Sequence, residues 1–122
     1  MASVAERLAR RLVLVSGDEV LAERLEQALP ESWRLSRARA IGEIGAFQDV
    51  LLHRFVLVDL DSSGALEAIE DIRGGMMLNV PIFCFGGDAA ARDAARRARA
   101  DRFFGREEIA ALLPKLCEQF AW

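Results

Sequence analysis

Three carboxylates and one arginine are placed where they could do chemistry. Asp59 closes the continuously apolar run Phe55-Val56-Leu57-Val58, Asp61 follows two residues later, and Asp18 stands just past the apolar run Leu12–Val15 after Ser16-Gly17. In a parallel sheet the C-terminal strand ends form the crevice where ligands bind, so an acid at such an end is a site candidate. N-capping of the helices that follow accounts for Asp18 and Asp61 without any metal. Arg106 offers a planar fork of donors that can pair with Asp59, bidentately if the geometry allows. Ser16 and His53 as nucleophile and base are the weaker pairing. His53 is expected at the C-terminal end of a helix, where a cation is favourable. Gly74-Gly75 and Gly86-Gly87 lack the context of a phosphate-cradling motif and read as turns and helix stops. Cys84 and Cys117 have no metal-ligand spacing and lie in apolar segments, as buried free thiols of a reducing compartment would.

The elements that must position these residues alternate along the chain. Leu12–Val15 is apolar throughout, as a strand buried on both faces is. A helix carrying Leu21, Leu25, Ala28 and Leu29 follows, capped by Ser16 or Asp18 and stopped by Pro30. Trp33–Arg37 alternates, which suits an edge strand. Ile41, Ile44, Phe47 (or Gln48) and Leu51 trace a second amphipathic helix, weakened by Gly42 and Gly45. Phe55–Asp59 is the third strand. The loop Asp61-Ser62-Ser63-Gly64 can cap a helix bearing Leu66, Ile69 and Ile72 that Gly74-Gly75 ends. Val80–Phe85 is the fourth strand, and Gly86-Gly87-Asp88 turns into an Ala/Arg helix over 89–100. Arg102–Phe104 is a short fifth strand. Glu107–Phe120 is the last helix, with Pro114 expected to kink or restart it. Five strand–helix units with short right-handed connections predict a parallel sheet covered on both faces.

The chain has 122 residues, 52% hydrophobic and 29% charged, with a formal net charge of -3. That size predicts one domain, residues 1–122 with a core over about 11–120, able to bury a core without disulfides or metals. The acidic balance supplies no global field for nucleic acid. No apolar run is long enough for a signal peptide or a membrane span, so a cytoplasmic location with no membrane partner is the expectation.

Arranged this way, the whole chain resembles the receiver domain of bacterial response regulators in two-component systems, in a degenerate, pseudo-receiver form. The resemblance rests on element order, on spacing and on Phe55-Val56-Leu57-Val58-Asp59. It implies an α/β, flavodoxin-like, doubly wound sheet of five parallel strands in the order 2-1-3-4-5. It makes Asp59 the phosphoacceptor position and Phe103, in Ala100-Asp101-Arg102-Phe103-Phe104, the switch aromatic. The rest of the family's pocket is altered. The acidic pair that holds Mg2+ reads Ser16-Gly17, the Ser or Thr ending the fourth strand reads Gly86, and the Lys-Pro pair after the fifth strand reads Arg106-Glu107. The loop after Asp59 is shorter and lacks the family's Pro.

The Ala/Arg helix carries Arg92, Arg96 and Arg99 at i, i+4 and i+7, expected as one basic stripe, over an inward side of Ala91, Ala94, Ala95 and Ala98. A buried Leu is worth about 1.5–3 kcal/mol and Ala far less, so this helix is expected to dock weakly. Arg is enriched at interfaces, and the resemblance puts this helix, Phe103 and the last helix on a signalling face. The plainer alternative is a solvated face with Asp93 and Arg97 paired. Trp122 is either an anchor for that face or a frayed end.

The sequence therefore predicts a non-enzymatic, stand-alone signalling module with no cofactor. It acts by phosphorylation-independent contact with a histidine kinase, a downstream effector or a second copy, the chain carrying no output domain. One alternative keeps phosphorylation at Asp59, with Mg2+ held by Asp18 or Asp61. A second is a flavodoxin-like module binding a nucleotide or flavin at the same crevice.

Overall fold

The computed structural model describes residues 9–122. Five parallel strands, β1 (Arg10–Val15), β2 (Trp33–Ala38), β3 (Phe55–Asp59), β4 (Ile82–Phe85) and β5 (Arg102–Phe104), form one sheet in the order β2-β1-β3-β4-β5. The helices are α1 (Glu19–Ala28), α2 (Phe47–Leu51), α3 (Ala65–Glu70), α4 (Ala89–Arg97) and α5 (Ile109–Gln119). This is the doubly wound flavodoxin-like arrangement that the alternation of elements requires.

Successive residues on a strand point to opposite faces, and the two faces carry different side chains. Leu12, Leu14, Phe55, Leu57, Phe83 and Phe85 pack with Leu21 and Leu25 of α1 and Ile109, Leu113, Leu116 and Cys117 of α5. Phe55 sits amid Trp33, Phe83 and Phe120, with ring centroids 5.4–5.7 Å away. Val13, Val15, Val56, Val58, Ile82 and Cys84 face the other side, against Val50 of α2, Ala65, Ala68 and Ile69 of α3, and Ala95 of α4. The two central strands β1 and β3 are buried along their apolar runs, which brings Asp59 to the mouth of the sheet while keeping it 1% exposed.

Several elements differ from expectation. The second helix is not continuous: a 3₁₀ turn at Ile41–Glu43 and α2 are separated at Gly45, whose φ is +129°. A Cβ there would lie 2.3 Å from the Asp49 carboxylate, which accepts from the Ala46 N–H. The break re-phases the helix, so Val50 is buried while Phe47 and Leu51 are exposed. Strand β4 starts at Ile82, not Val80. The Val80 carbonyl is taken by Arg73, and Pro81 has no N–H to give a ladder. Helix α3 passes into a π turn at Asp71–Gly75, and Leu66 is partly exposed. Helix α5 spans Ile109–Gln119 without a restart at Pro114. Helix α4 ends at Arg97, short of Ala100, because the chain reverses at Arg99 with φ +77°. Among the described residues, no helix is long and apolar enough to cross a membrane.

Candidate functional site

The end of β3, the segments after β1, β2 and β3 and the link after β5 form a cleft of about 450 Å³ lined by Gly17, Asp18, Arg39, Asp59, Asp61, Ser62, Ser63 and Arg106. Asp59 stands at its floor. An ionised carboxylate has about four acceptor sites on its two oxygens, and here four donors use them. Asp59 Oδ1 accepts from the Asp61 N–H at 3.0 Å and from Arg106 Nη1 at 2.6 Å. Asp59 Oδ2 accepts from Ser16 Oγ at 2.8 Å and from Ser62 Oγ at 3.1 Å. Burial of a charge is tolerated when it is paired and hydrogen-bonded, and Asp59 is both.

Each donor is itself held by its element. Ser16 Oγ accepts from the Asp18 N–H at 3.0 Å, and Ser62 Oγ accepts from the Gly17 N–H at 2.9 Å, so the loop after β1 is tied to the loop after β3. Asp18 caps α1 through Oδ1, which accepts from the Leu21 N–H at 3.0 Å, and its Oδ2 accepts from Arg106 Nη2 at 2.6 Å. The Leu21 N–H first, and then Arg106, hold the Asp18 carboxyl below its ordinary range. Asp61 does not cap α3, contrary to expectation. Gly64 occupies that position with φ +84°, and Asp61 accepts instead from the Gly87 N–H at 3.1 Å and from Arg106 Nη1 at 3.0 Å.

Arg106 thus joins three carboxylates supplied by the N-cap of α1, the end of β3 and the loop after β3, where pairing with Asp59 alone is the sequence expectation. Its guanidinium also lies 5.6 Å from the Phe85 ring centroid. Its pKa is raised, chiefly by the hydrogen bond to Asp59. The Mg2+ that the sequence resemblance implies does not fit this donor set. Each of the three carboxylates already has an oxygen on the guanidinium, and Ser16 and Gly17 supply no carboxylate in their place. Among the described residues, no cluster of His, Cys, Asp and Glu is arranged to hold a metal ion.

Gly86 is the counterpart of this arrangement. Its φ is +71°, and a Cβ built on it would sit 2.3 Å from Asp61 Oδ2 and 3.6 Å from Arg106 Nη1. The space that a Ser or Thr would fill at the end of β4 is occupied by the Asp61–Arg106 pair.

The expected basic stripe is dispersed. Arg92 Nε donates to the Gly86 carbonyl at 3.1 Å, and Nη2 reaches the Phe104 carbonyl at 3.5 Å, so Arg92 ties α4 to the ends of β4 and β5. Arg96 is exposed and lies 4.8 Å over the Phe103 ring. Arg99 lies beyond the helix, where its Nη2 donates to the Arg73 carbonyl. Arg97 and Asp93 pair, as the solvated-face alternative has it. Trp122 is held by Arg54, which donates to its carbonyl at 2.6 Å and lies 4.1 Å over its ring, away from the Arg96–Phe103 contact.

Ser16 and His53 have separate partners. His53 is 8% exposed, its Nδ1 donates to the Asp49 carbonyl at 2.9 Å, and its Nε2 lies 2.9 Å from Ser36 Oγ. Desolvation lowers its pKa, correcting the expectation of a favourable cation at a helix end. Cys84 and Cys117 are buried free thiols, each pushed up to about 12 by desolvation.

Two contributors escaped the sequence reading. In the sequence Ser62 reads only as part of a capping loop, although its position three residues after Asp59 suits a hydroxyl-to-carboxylate bond. Buried Arg73 lies outside the site. It donates to the carbonyls of Leu78, Val80 and Arg99 at 2.8–3.0 Å and pairs with Asp101 at 2.8 Å.

No family model matches the sequence, and no curated protein matches it. Solved structures do match in fold. A chain from Chloroflexus aurantiacus described as a response regulator is 22% identical, with a TM-score of 0.70 over 93% of this chain and 99% of that one. A response-regulator signal receiver domain from Bermanella marisrubri is 18% identical, with a TM-score of 0.72 over 93% and 99% of the two chains. The phosphorylated cyanobacterial phytochrome response regulator RcpA is 10% identical, with a TM-score of 0.72 over 93% and 94%. The fold is that of response-regulator receiver domains.

Proposed function

We propose that this chain is a receiver-type signalling module that works by protein–protein contact and does not use phosphorylation of Asp59. The observation that carries the reading is the saturation of Asp59: two hydroxyls, a backbone N–H and a guanidinium fill its acceptor sites. Attack on a phosphoryl group needs a free oxygen lone pair and a cation placed on the phosphoryl oxygens. Here the oxygen is engaged and the available cation is spent on the three carboxylates. On this reading the module is non-enzymatic, holds no resident cofactor, and works in the cytoplasm.

The contact face in this proposal is built on Arg96 and Phe103, backed by α4, β5 and α5, with Arg92 a support for that face. Arg99 stands at its margin. A histidine kinase, a downstream effector or a second copy of the chain is the partner class. Arg96 stacked on Phe103 offers a cation and an aromatic side by side, the composition that interface anchors favour. A nucleotide or flavin in the cleft is disfavoured because Asp18, Asp59 and Asp61 would face its phosphate.

Intact mass after incubation with acetyl phosphate and Mg2+ tests the first half. Wild type and Asp59→Asn should both stay at their starting mass, and a phosphoryl gain confined to wild type would overturn the reading. Affinity capture tests the second half. A partner retained by wild type should be retained by Asp59→Asn and lost by Arg96→Glu, with the melting temperature of Arg96→Glu unchanged.

A further inference from the structure

We infer that the Arg106 guanidinium is the resident cation of this pocket, and that it excludes divalent metal from the Asp18, Asp59 and Asp61 carboxylates. The inference rests on the proposed phosphorylation-independent role and adds its physical cause.

Three carboxylates from separate segments converge within hydrogen-bond distance of one group. Arg106 Nη1 is 2.6 Å from Asp59 Oδ1 and 3.0 Å from Asp61 Oδ2, and Nη2 is 2.6 Å from Asp18 Oδ2. Like charges this close disfavour one another's ionisation unless a cation lies among them. The chain supplies that cation itself. A tethered group is present at high effective concentration, whereas Mg2+ must come from solution and dehydrates reluctantly.

A second observation shows that the pocket is shaped around the Asp61–Arg106 pair. The end of β4 carries no side chain where the Asp61–Arg106 pair lies, and Gly86 adopts a positive φ there. The Phe85 ring backs the guanidinium. Removing the guanidinium while keeping this cavity would leave three carboxylates facing one another without the cation that now joins them.

Mn2+ is the probe, followed by electron paramagnetic resonance of the free ion, with melting curves run with and without millimolar MgCl2. Wild type should leave the Mn2+ signal undiminished and keep its melting temperature in MgCl2. Arg106→Gln should melt lower without metal, recover in MgCl2 and bind one Mn2+ per chain, and adding Asp61→Asn should abolish that binding. Should Arg106→Gln not fold without metal, Arg106→Gln/Asp18→Asn, which relieves part of the repulsion and keeps a capping side chain, takes its place. Wild type that binds Mn2+ as tightly as the variant, or a folded variant that binds none, would overturn the inference. Wild type that gains a phosphoryl group yet excludes Mn2+ would sink the proposed function and leave this inference standing. Wild type that binds Mn2+ but gains no phosphoryl mass would do the reverse.

Discussion

Gly86 and Asp61 compete for one volume, and that competition links the end of β4 to the Asp61–Arg106 pair. A hydroxyl-bearing side chain at the end of β4 and an Asp61 carboxylate on Arg106 cannot both be accommodated, since the Cβ alone would lie 2.3 Å from Asp61 Oδ2. Gly86→Ser should therefore cost about 2–3 kcal/mol, from the left-handed backbone and the displaced charge-assisted hydrogen bond together. The same substitution in an Asp61→Ala background should cost clearly less, because the clash is gone and only the backbone cost remains. Urea denaturation of the four proteins measures this coupling directly. Equal costs in both backgrounds would show that Gly86 is not there for Asp61.

At the scale of elements, the ends of α3 and α4 depend on one side chain. The π turn at Asp71–Gly75 carries Arg73, which is 7% exposed. It satisfies the carbonyls of Leu78 and Val80, ahead of β4, and that of Arg99, between α4 and β5. Asp101 Oδ2 accepts from both Arg73 and the Ile82 N–H, joining the starts of β4 and β5. Arg73→Leu should destabilise the fold by about 3 kcal/mol, since it strands the buried Val80 carbonyl and the part-buried carbonyls of Leu78 and Arg99 and unpairs Asp101. Thermal and urea unfolding should show the loss. A change under 1 kcal/mol would mean that water replaces those bonds (about one ordinary hydrogen bond's worth).

For the whole molecule, the pH dependence of stability near neutrality should trace to one group, because the chain has a single histidine. The folded state lowers the His53 pKa below 6.5, so it favours the neutral ring, while the unfolded chain titrates near 6.5. Between those two values the unfolded state binds more protons. The stabilising contribution of neutral His53 is thus complete above pH 6.5 and is lost as the pH falls through the folded pKa. The urea midpoint should drop between about pH 7 and pH 5.5 in wild type and vary less in His53→Gln (the window around an ordinary histidine pKa). NMR titration of the one imidazole should place its midpoint under 6.5. A midpoint above that value would reverse the sign.

Much of this protein follows from local sequence. Continuous apolar runs separated by capped helices force buried parallel strands, and so Leu12–Val15 and Phe55–Val58 put Asp59 at a strand end in a crevice. The pocket residues Ser16, Gly17, Gly86 and Arg106 are legible because each stands just past the end of a readable strand. What one-dimensional reading missed depends on closure in three dimensions. Ser62 completes the Asp59 shell only when the loops after β1 and β3 meet. Arg106 reaches Asp18 across 88 residues of chain, a contact that no local spacing encodes. The dispersal of Arg92, Arg96 and Arg99 follows from where α4 stops. That end is set by the left-handed turn at Arg99 and its bonds to Arg73, and helical periodicity carries no information about either.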